Sequence, residues 1–219
     1  VFSQGTYRPL QCAGEIPEEF RSLTASKVQK AKAEDRSNER TKQERKSIDE
    51  FLLRNNCVID ELLSSGKILF GEPVTQYLNE LADVLLEDNP TLRSKLRFYT
   101  VKSAEANAFA TNQGIIFVTL GLLAQIENEA QLAFVLSHEI AHFDKAHSIN
   151  SVLENVKIYN ETSSDRYGGT EKRLRLLSTF SKEKEFEADS IGFLRFVFSG
   201  FDKAQASSAM DVLYLSSMP

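Results

Sequence analysis

Several common classes are excluded by what this sequence has little of. It contains only two cysteines, Cys12 and Cys57, too few for a disulfide scaffold; they close one bridge in an oxidising compartment or remain two unrelated thiols. It has no basic excess, since 26 Lys and Arg stand against 31 Asp and Glu for a net charge of -5, whereas a polyanion binder needs positive charge concentrated on one face. Nucleic acid is therefore not an expected partner. Long apolar runs are missing too: the best stretches, Leu132 to Leu136 and Ile191 to Phe198, fall short of the roughly 18 residues that cross a bilayer. The chain is not expected to span a membrane. Histidine is scarce, and all three copies, His138, His142 and His147, lie in one short stretch.

What remains is enough for a core of ordinary size, with 42% hydrophobic residues in 219, and one catalytic-sized domain with an appendage is the natural organisation. From Glu129 to His147 no Gly or Pro interrupts the sequence, and Ala130, Ala133, Phe134, Ile140 and Ala141 recur at helical spacing. Inside that helix stands His138-Glu139-Ile140-Ala141-His142. Residues four apart leave the same face, one turn above each other, so both imidazoles can bind one ion while Glu139, offset by about 100°, lies beside it as a base. Burying two histidines and a glutamate without such a purpose is costly.

Two histidines leave a catalytic zinc one protein ligand short. His147 lies roughly 140° around a continuous helix from His142 and does not join the same tetrahedron easily, so the third ligand is sought in the acidic run 183–189. Glu185 and Asp189 share a face with Ala188 and Gly192, small residues that let two helices approach closely. That favours Glu185 as ligand, with Glu187 as the rival, and Asp189 as acceptor of a hydrogen bond from the outer nitrogen of a liganding histidine. Glu187 and Glu183 are otherwise read as solvated. An oxyanion donor has no clear assignment; His147 is a candidate although it lies off the face.

Around this centre, residues 1–16 read as an extended arm, Pro17-Glu18-Glu19 opens a helix, and the mixed-charge stretch from Ala25 to Lys46 reads as a solvated helix or a docking surface for a partner protein. Ile48, Phe51, Leu52, Val58, Ile59, Leu62 and Leu63 then form an apolar stripe ending at Ser64-Ser65-Gly66. A short strand is expected at 67–70 and a helix from Val74 to Glu87 with Tyr77, Leu78, Leu81, Val84 and Leu85 inward. Strands follow at 96–101 and, as a hairpin turning near 111–114, at 108–110 and 114–118. Gly121 opens a short helix, Asn128 caps the histidine helix, a loop is expected at 165–170 and a helix at 171–199. The expected fold is α+β: a mainly helical, zincin-like domain at 67–219 with a small antiparallel sheet, preceded by an N-terminal arm and long charged helix at 1–66. The strand Asn107-Ala108-Phe109-Ala110, or its hairpin partner at 115–118, is the candidate to hold a substrate backbone as an added strand.

Three segments together resemble the gluzincin metallopeptidases of peptidase family M48. They are Asn107 to Ala110 with Gly114 to Leu123, the His138-to-His142 motif with His147, and Glu185-Phe186-Glu187-Ala188-Asp189-Ser190-Ile191-Gly192. The resemblance runs over roughly residues 69–201. It implies one zinc ion held by His138, His142 and Glu185, a catalytic Glu139 and a supporting Asp189. Many members carry a His-Pro segment followed by an Arg well beyond the glutamate ligand; no such segment occurs up to Pro219, so either the domain is truncated short of that rim or the site lacks a transition-state donor. Membrane spans found in some members are also missing.

The expected activity is a zinc metalloendopeptidase cleaving protein or peptide substrates, with water activated at the metal and Glu139 as general base. The resemblance implies quality control of the cell envelope, with membrane-associated substrates within reach. Val1-Phe2-Ser3-Gln4 reads as the tail of a removed secretory signal, which places the chain in an exported compartment such as the periplasm. The rival reading is a zinc-bearing binding or chaperone-like module with latent or no proteolysis.

Overall fold

A computed structural model describes residues 9–22, 26–29, 41–151 and 182–217. Most of the expected charged helix, the loop at 165–170 and the 171–181 part of the later helix lie outside the described residues.

After a one-turn helix, α1 (Glu18–Arg21), the chain forms α2 (Lys42–Ser64). This helix does not simply continue the polar stretch before it. Thr41 closes it with a capping box, its hydroxyl accepting from the Glu44 N–H at 3.2 Å while the Glu44 carboxylate accepts from the Thr41 N–H at 2.8 Å. Then come β1 (Ile68–Leu69), α3 (Pro73–Leu85), α4 (Pro90–Arg93), β2 (Arg97–Val101), β3 (Ala108–Ala110), β4 (Ile115–Thr119), α5 (Leu120–Leu123), α6 (Glu129–Asp144), α7 (Lys182–Phe198) and α8 (Gln205–Ser217).

The sheet has the order β1-β2-β4-β3, and it is mixed rather than antiparallel throughout. β3 and β4 form the expected hairpin, but β4 inserts between β3 and β2, pairing parallel to β2 from Arg97 opposite Ile115 to Val101 opposite Thr119. The loop from β2 carries the chain out to the edge position, and the hairpin brings it back into the gap. Gly114 permits this return: its φ is +76°, and a Cβ there would lie 2.2 Å from the Lys95 carbonyl oxygen.

Strand alternation sends Phe98, Ala108, Ala110, Ile116 and Val118 to one face, where they join α3, α5, α6, α7 and α8 in the main core. Tyr99, Val101, Phe109, Ile115 and Phe117 face the other way, onto Ile59, Leu62 and Leu63 of α2 and Phe20 of α1. Both faces are covered, so β4 is buried along its whole length.

On α3 the inward stripe is Leu78, Leu81, Ala82 and Leu85, whereas Tyr77 and Val84 are exposed. Seven positions apart, those two share an angle roughly 90° off the stripe, and the Tyr77 hydroxyl reaches across to the Glu129 carboxylate instead. On α2, Asn55 and Asn56 are buried among the aliphatics because they hold the hairpin turn: Asn55 donates to Asn112, and Asn56 accepts from Gln113.

Candidate active site

Helix α6 is buried from Gln131 through His142, walled by the sheet on one side and by α7 and α8 on others. Asn128 caps it by accepting from the Gln131 N–H at 3.0 Å, although Gln131 returns its side chain to the Glu127 N–H rather than to Asn128. α7 lies directly against α6. Ala188 is fully buried, and a Cβ built on Gly192 would stand 2.9 Å from the His138 backbone nitrogen, so only glycine allows this separation. Further along, Phe134 and Phe196 meet edge to face with ring centroids 5.7 Å apart, and Arg195 donates to the Ser137 carbonyl at 3.2 Å. These contacts set the height of α7 along α6.

That docking brings Glu185, not Glu187, to the two histidines. His138 Nε2 and His142 Nε2 are 2.9 Å apart, and Glu185 Oε2 lies 3.4 Å from the first and 3.7 Å from the second. A tetrahedral ion with bonds of about 2.0–2.1 Å needs ligand atoms about 3.3 Å apart, and the three separations straddle that value. Two imidazole lone pairs and a carboxylate oxygen aimed at one point are a donor set for a divalent cation. Among the described residues no other His, Cys, Asp or Glu group meets this condition. Asp189, one turn beyond Glu185, puts Oδ1 2.9 Å from the outer nitrogen, Nδ1, of His138. It is a close ionic contact without the alignment of a hydrogen bond.

Electrostatics follow from burial. Burial pulls the His138 pKa down, but the contacts with Asp189 and Glu185 and the charge of Glu139 outweigh it and push it up to about 10. Glu185, conversely, is held at about 2 because the two histidines overcome its partial burial. His142 is lowered, first by burial.

Glu139 is buried, with 6% of its surface exposed. Burial raises its pKa to about 7, the positive His138 opposes this, the Glu185 charge adds to it, and the Ala110 N–H donates to the carboxylate and moderates it. A carboxylate poised near neutrality can both take and return a proton.

The Ala110 contact ties the site to the sheet. β3 is the edge strand, and β4 is paired on both sides, so of the two candidate substrate strands only β3 has an open side among the described residues. The ladder bonds at Thr111 with Ile115 and at Asn107 with Thr119, together with the antiparallel alternation, turn the N–H and C=O groups of Ala108 and Ala110 away from β4. Asn107 is clamped at the start of the strand, its N–H donating to the Thr119 hydroxyl at 2.9 Å.

His147 and Glu187 are where reading from sequence falls short. α6 ends at Asp144, Ala146 adopts φ +50°, and helix resumes from residue 147 to 151. The break swings His147 back, so that its Nδ1 lies 2.8 Å from His142 Nδ1. It is fully buried against the outer nitrogen of His142, away from the Nε2 side that faces Glu185, and is not placed as an oxyanion donor. Its other nitrogen, Nε2, is 3.1 Å from Glu187 Oε2; Glu187 is half exposed but not merely solvated. Lys184, one turn earlier on the same flank of α7, donates to Ser151 at 2.9 Å. The spacing of the third histidine was the available signal, but no Gly or Pro announces the turn.

Cys12 and Cys57 are exposed free thiols, so the bridge considered from the sequence is not made. No helix among the described residues is long and apolar enough to cross a membrane.

Comparison with known proteins agrees with this geometry. The family model of peptidase family M48 matches residues 73–208. A β-barrel assembly-enhancing protease of Yersinia pestis is 28% identical over 71% of the chain and 36% of its own length, and that of Escherichia coli is 26% identical over the same shares. The mitochondrial metalloendopeptidase OMA1 of Arabidopsis thaliana is 31% identical over 49% of the chain and 23% of its own length. The chain thus spans about a third of the length of the bacterial relatives it matches.

Proposed function

We propose that this chain, which belongs to peptidase family M48, is a zinc-dependent metalloendopeptidase in which His138, His142 and Glu185 hold the ion and Glu139 is the general base. The single observation that carries this reading is the convergence of two Nε2 atoms and one carboxylate oxygen within 2.9 to 3.7 Å, with a buried glutamate beside them. Zinc is the natural occupant of a site with two imidazoles, one carboxylate and an open position, and when bound it supplies Lewis acidity toward water and a peptide carbonyl.

The residues of the chain do the rest. β3 receives an extended substrate segment along the outward groups of Ala108 and Ala110, which aligns the scissile bond without reading side chains. Glu139 takes a proton from the attacking water and passes it to the leaving amine, and its pKa near 7 suits both transfers. Asp189 holds the His138 ring in the tautomer that leaves Nε2 free for the ion. The substrates are proteins presenting an extended, unpaired segment. Kinship with proteases named for β-barrel assembly supports a role in the quality control of the cell envelope, with the chain exported and 67–219 as the catalytic domain.

The test is Glu139→Gln. Cleavage of an unfolded protein should fall by at least about 100-fold while zinc content stays at one per chain. Undiminished turnover would remove Glu139 from the mechanism, and a wild-type protein that binds zinc but never cleaves would favour a binding module instead.

A further inference from the structure

The geometry points to a positioning role for His147 and Glu187: we infer that they form an outer relay that orients His142 as a metal ligand, a role resting on the metal-centre reading above. His142 faces the Glu185 oxygen and its partner histidine through Nε2. Its other nitrogen, Nδ1, must then carry the ring proton, because a neutral imidazole has one donor and one acceptor. That proton points at His147 Nδ1, 2.8 Å away, which accepts it. His147 in turn has its proton on Nε2, directed at Glu187 Oε2 at 3.1 Å. The line ends on a carboxylate.

The two inner histidines are therefore supported differently. His138 has a carboxylate, Asp189, directly against its outer nitrogen. At His142 that place is taken by a third imidazole, His147, which reaches α7 through Glu187. Ala146 is the only non-glycine residue with positive φ among the described residues, and this unfavourable conformation is what brings His147 into line. α7 contributes to both supports: Asp189 faces His138, and Glu187 faces His147.

A relay of this kind affects the ion before it affects turnover, since the outer partners of liganding histidines typically contribute about 10–100-fold in metal affinity. Zinc affinity is measured by chelator competition on the full chain, with the visible spectrum of the cobalt(II)-loaded protein as a report on ligand geometry. His147→Leu, which fills the space without a polar edge, should weaken zinc binding by about 10–100-fold and alter the cobalt spectrum. His147→Gln should recover most of the affinity, because the amide presents an acceptor toward His142 and a donor toward Glu187 at about the spacing of the ring nitrogens. Glu187→Ala, at a half-exposed position that does not threaten the fold, should give a smaller loss than His147→Leu. If Leu serves as well as Gln, or leaves both affinity and spectrum unchanged, His147 is only packing and the relay is wrong. Should the wild-type chain itself bind no metal, the metal-centre reading fails and the relay with it. Metal binding abolished by Glu185→Ala but indifferent to His147→Leu would sink the relay alone.

Discussion

Gly192→Ala isolates the close approach of α6 and α7 on which the site depends. The added methyl would lie 2.9 Å from the His138 nitrogen, 3.0 Å from its Cα and 3.1 Å from the Ser137 carbonyl carbon, all backbone atoms in the buried stretch of α6. Ordinary contact begins about half an ångström further out, so α7 has to move by roughly that much. Overpacking of this kind costs about 1–3 kcal/mol, while replacing glycine inside a helix returns about 1 kcal/mol; the net is a destabilisation of about 0–2 kcal/mol. For a chain of this size each kcal/mol moves the melting temperature by about 2–4 °C, so the metal-free protein should melt up to about 8 °C lower. The effect on metal binding is larger in proportion. Glu185 lies two turns from Gly192 on the same face, and ligand sets tolerate displacements of only about 0.5 Å, so zinc affinity should fall at least about tenfold. Chelator competition and thermal melting of the metal-free chain read the two effects separately. A variant that binds zinc like wild type and melts a few degrees higher would show helix propensity acting alone, and the close-contact reasoning would be wrong.

Ala146→Gly removes the cost of a positive φ, worth about 0.5–1 kcal/mol of net stabilisation, and should raise the melting temperature by about 1–4 °C; a lower value would mean that the turn is not strained. Zinc binding near pH 8.5 should release at least about one proton, because the His138 pKa of about 10 leaves that ring protonated in the metal-free protein and the ion takes it neutral, with any ionisation of metal-bound water adding to the count. Calorimetry in buffers of different ionisation enthalpy counts that proton, and a count near zero would contradict the charged state. By the same sign, the stability that His138 lends the metal-free fold is fully present below about 6.5 and is lost as the pH rises through about 10. Ala108→Pro deletes an N–H that β4 does not use, at an edge position where proline is tolerated. Cleavage should drop at least about tenfold with zinc affinity nearly intact, and unchanged cleavage would remove β3 as the substrate strand.

What could be read from residues alone follows a physical divide. Features carried by one helix were legible: the Asn128 cap, the shared face of His138 and His142, and the alignment of Glu185, Ala188, Asp189 and Gly192 on one side of α7. Each depends only on a rotation of 100° per residue, and the small residues at 188 and 192 even showed which side the neighbour lies on. The parallel pairing of β2 with β4 was not legible, because strand order is decided by a loop whose path leaves no local pattern. Asn55 and Asn56 were invisible for a related reason: their partners, Asn112 and Gln113, are far away in the chain, and a buried amide looks like an exposed one until its partner is placed. Tyr77 and Val84 failed by degree, since an apolar side chain roughly 90° from the stripe can face either way.

Glu187 failed for a more instructive reason. Placing it on the solvent side left out of account that, among the described residues, α7 also meets those that follow the break at Ala146. Once that break exists, five positions between His142 and His147 become the spacing that brings two rings together, and the two positions between Glu185 and Glu187 become the spacing that serves two faces. On the reading proposed above, a run of alternating carboxylates on one helix, set against three histidines on a helix that turns, divides its charges between holding an ion and holding the residues that hold it.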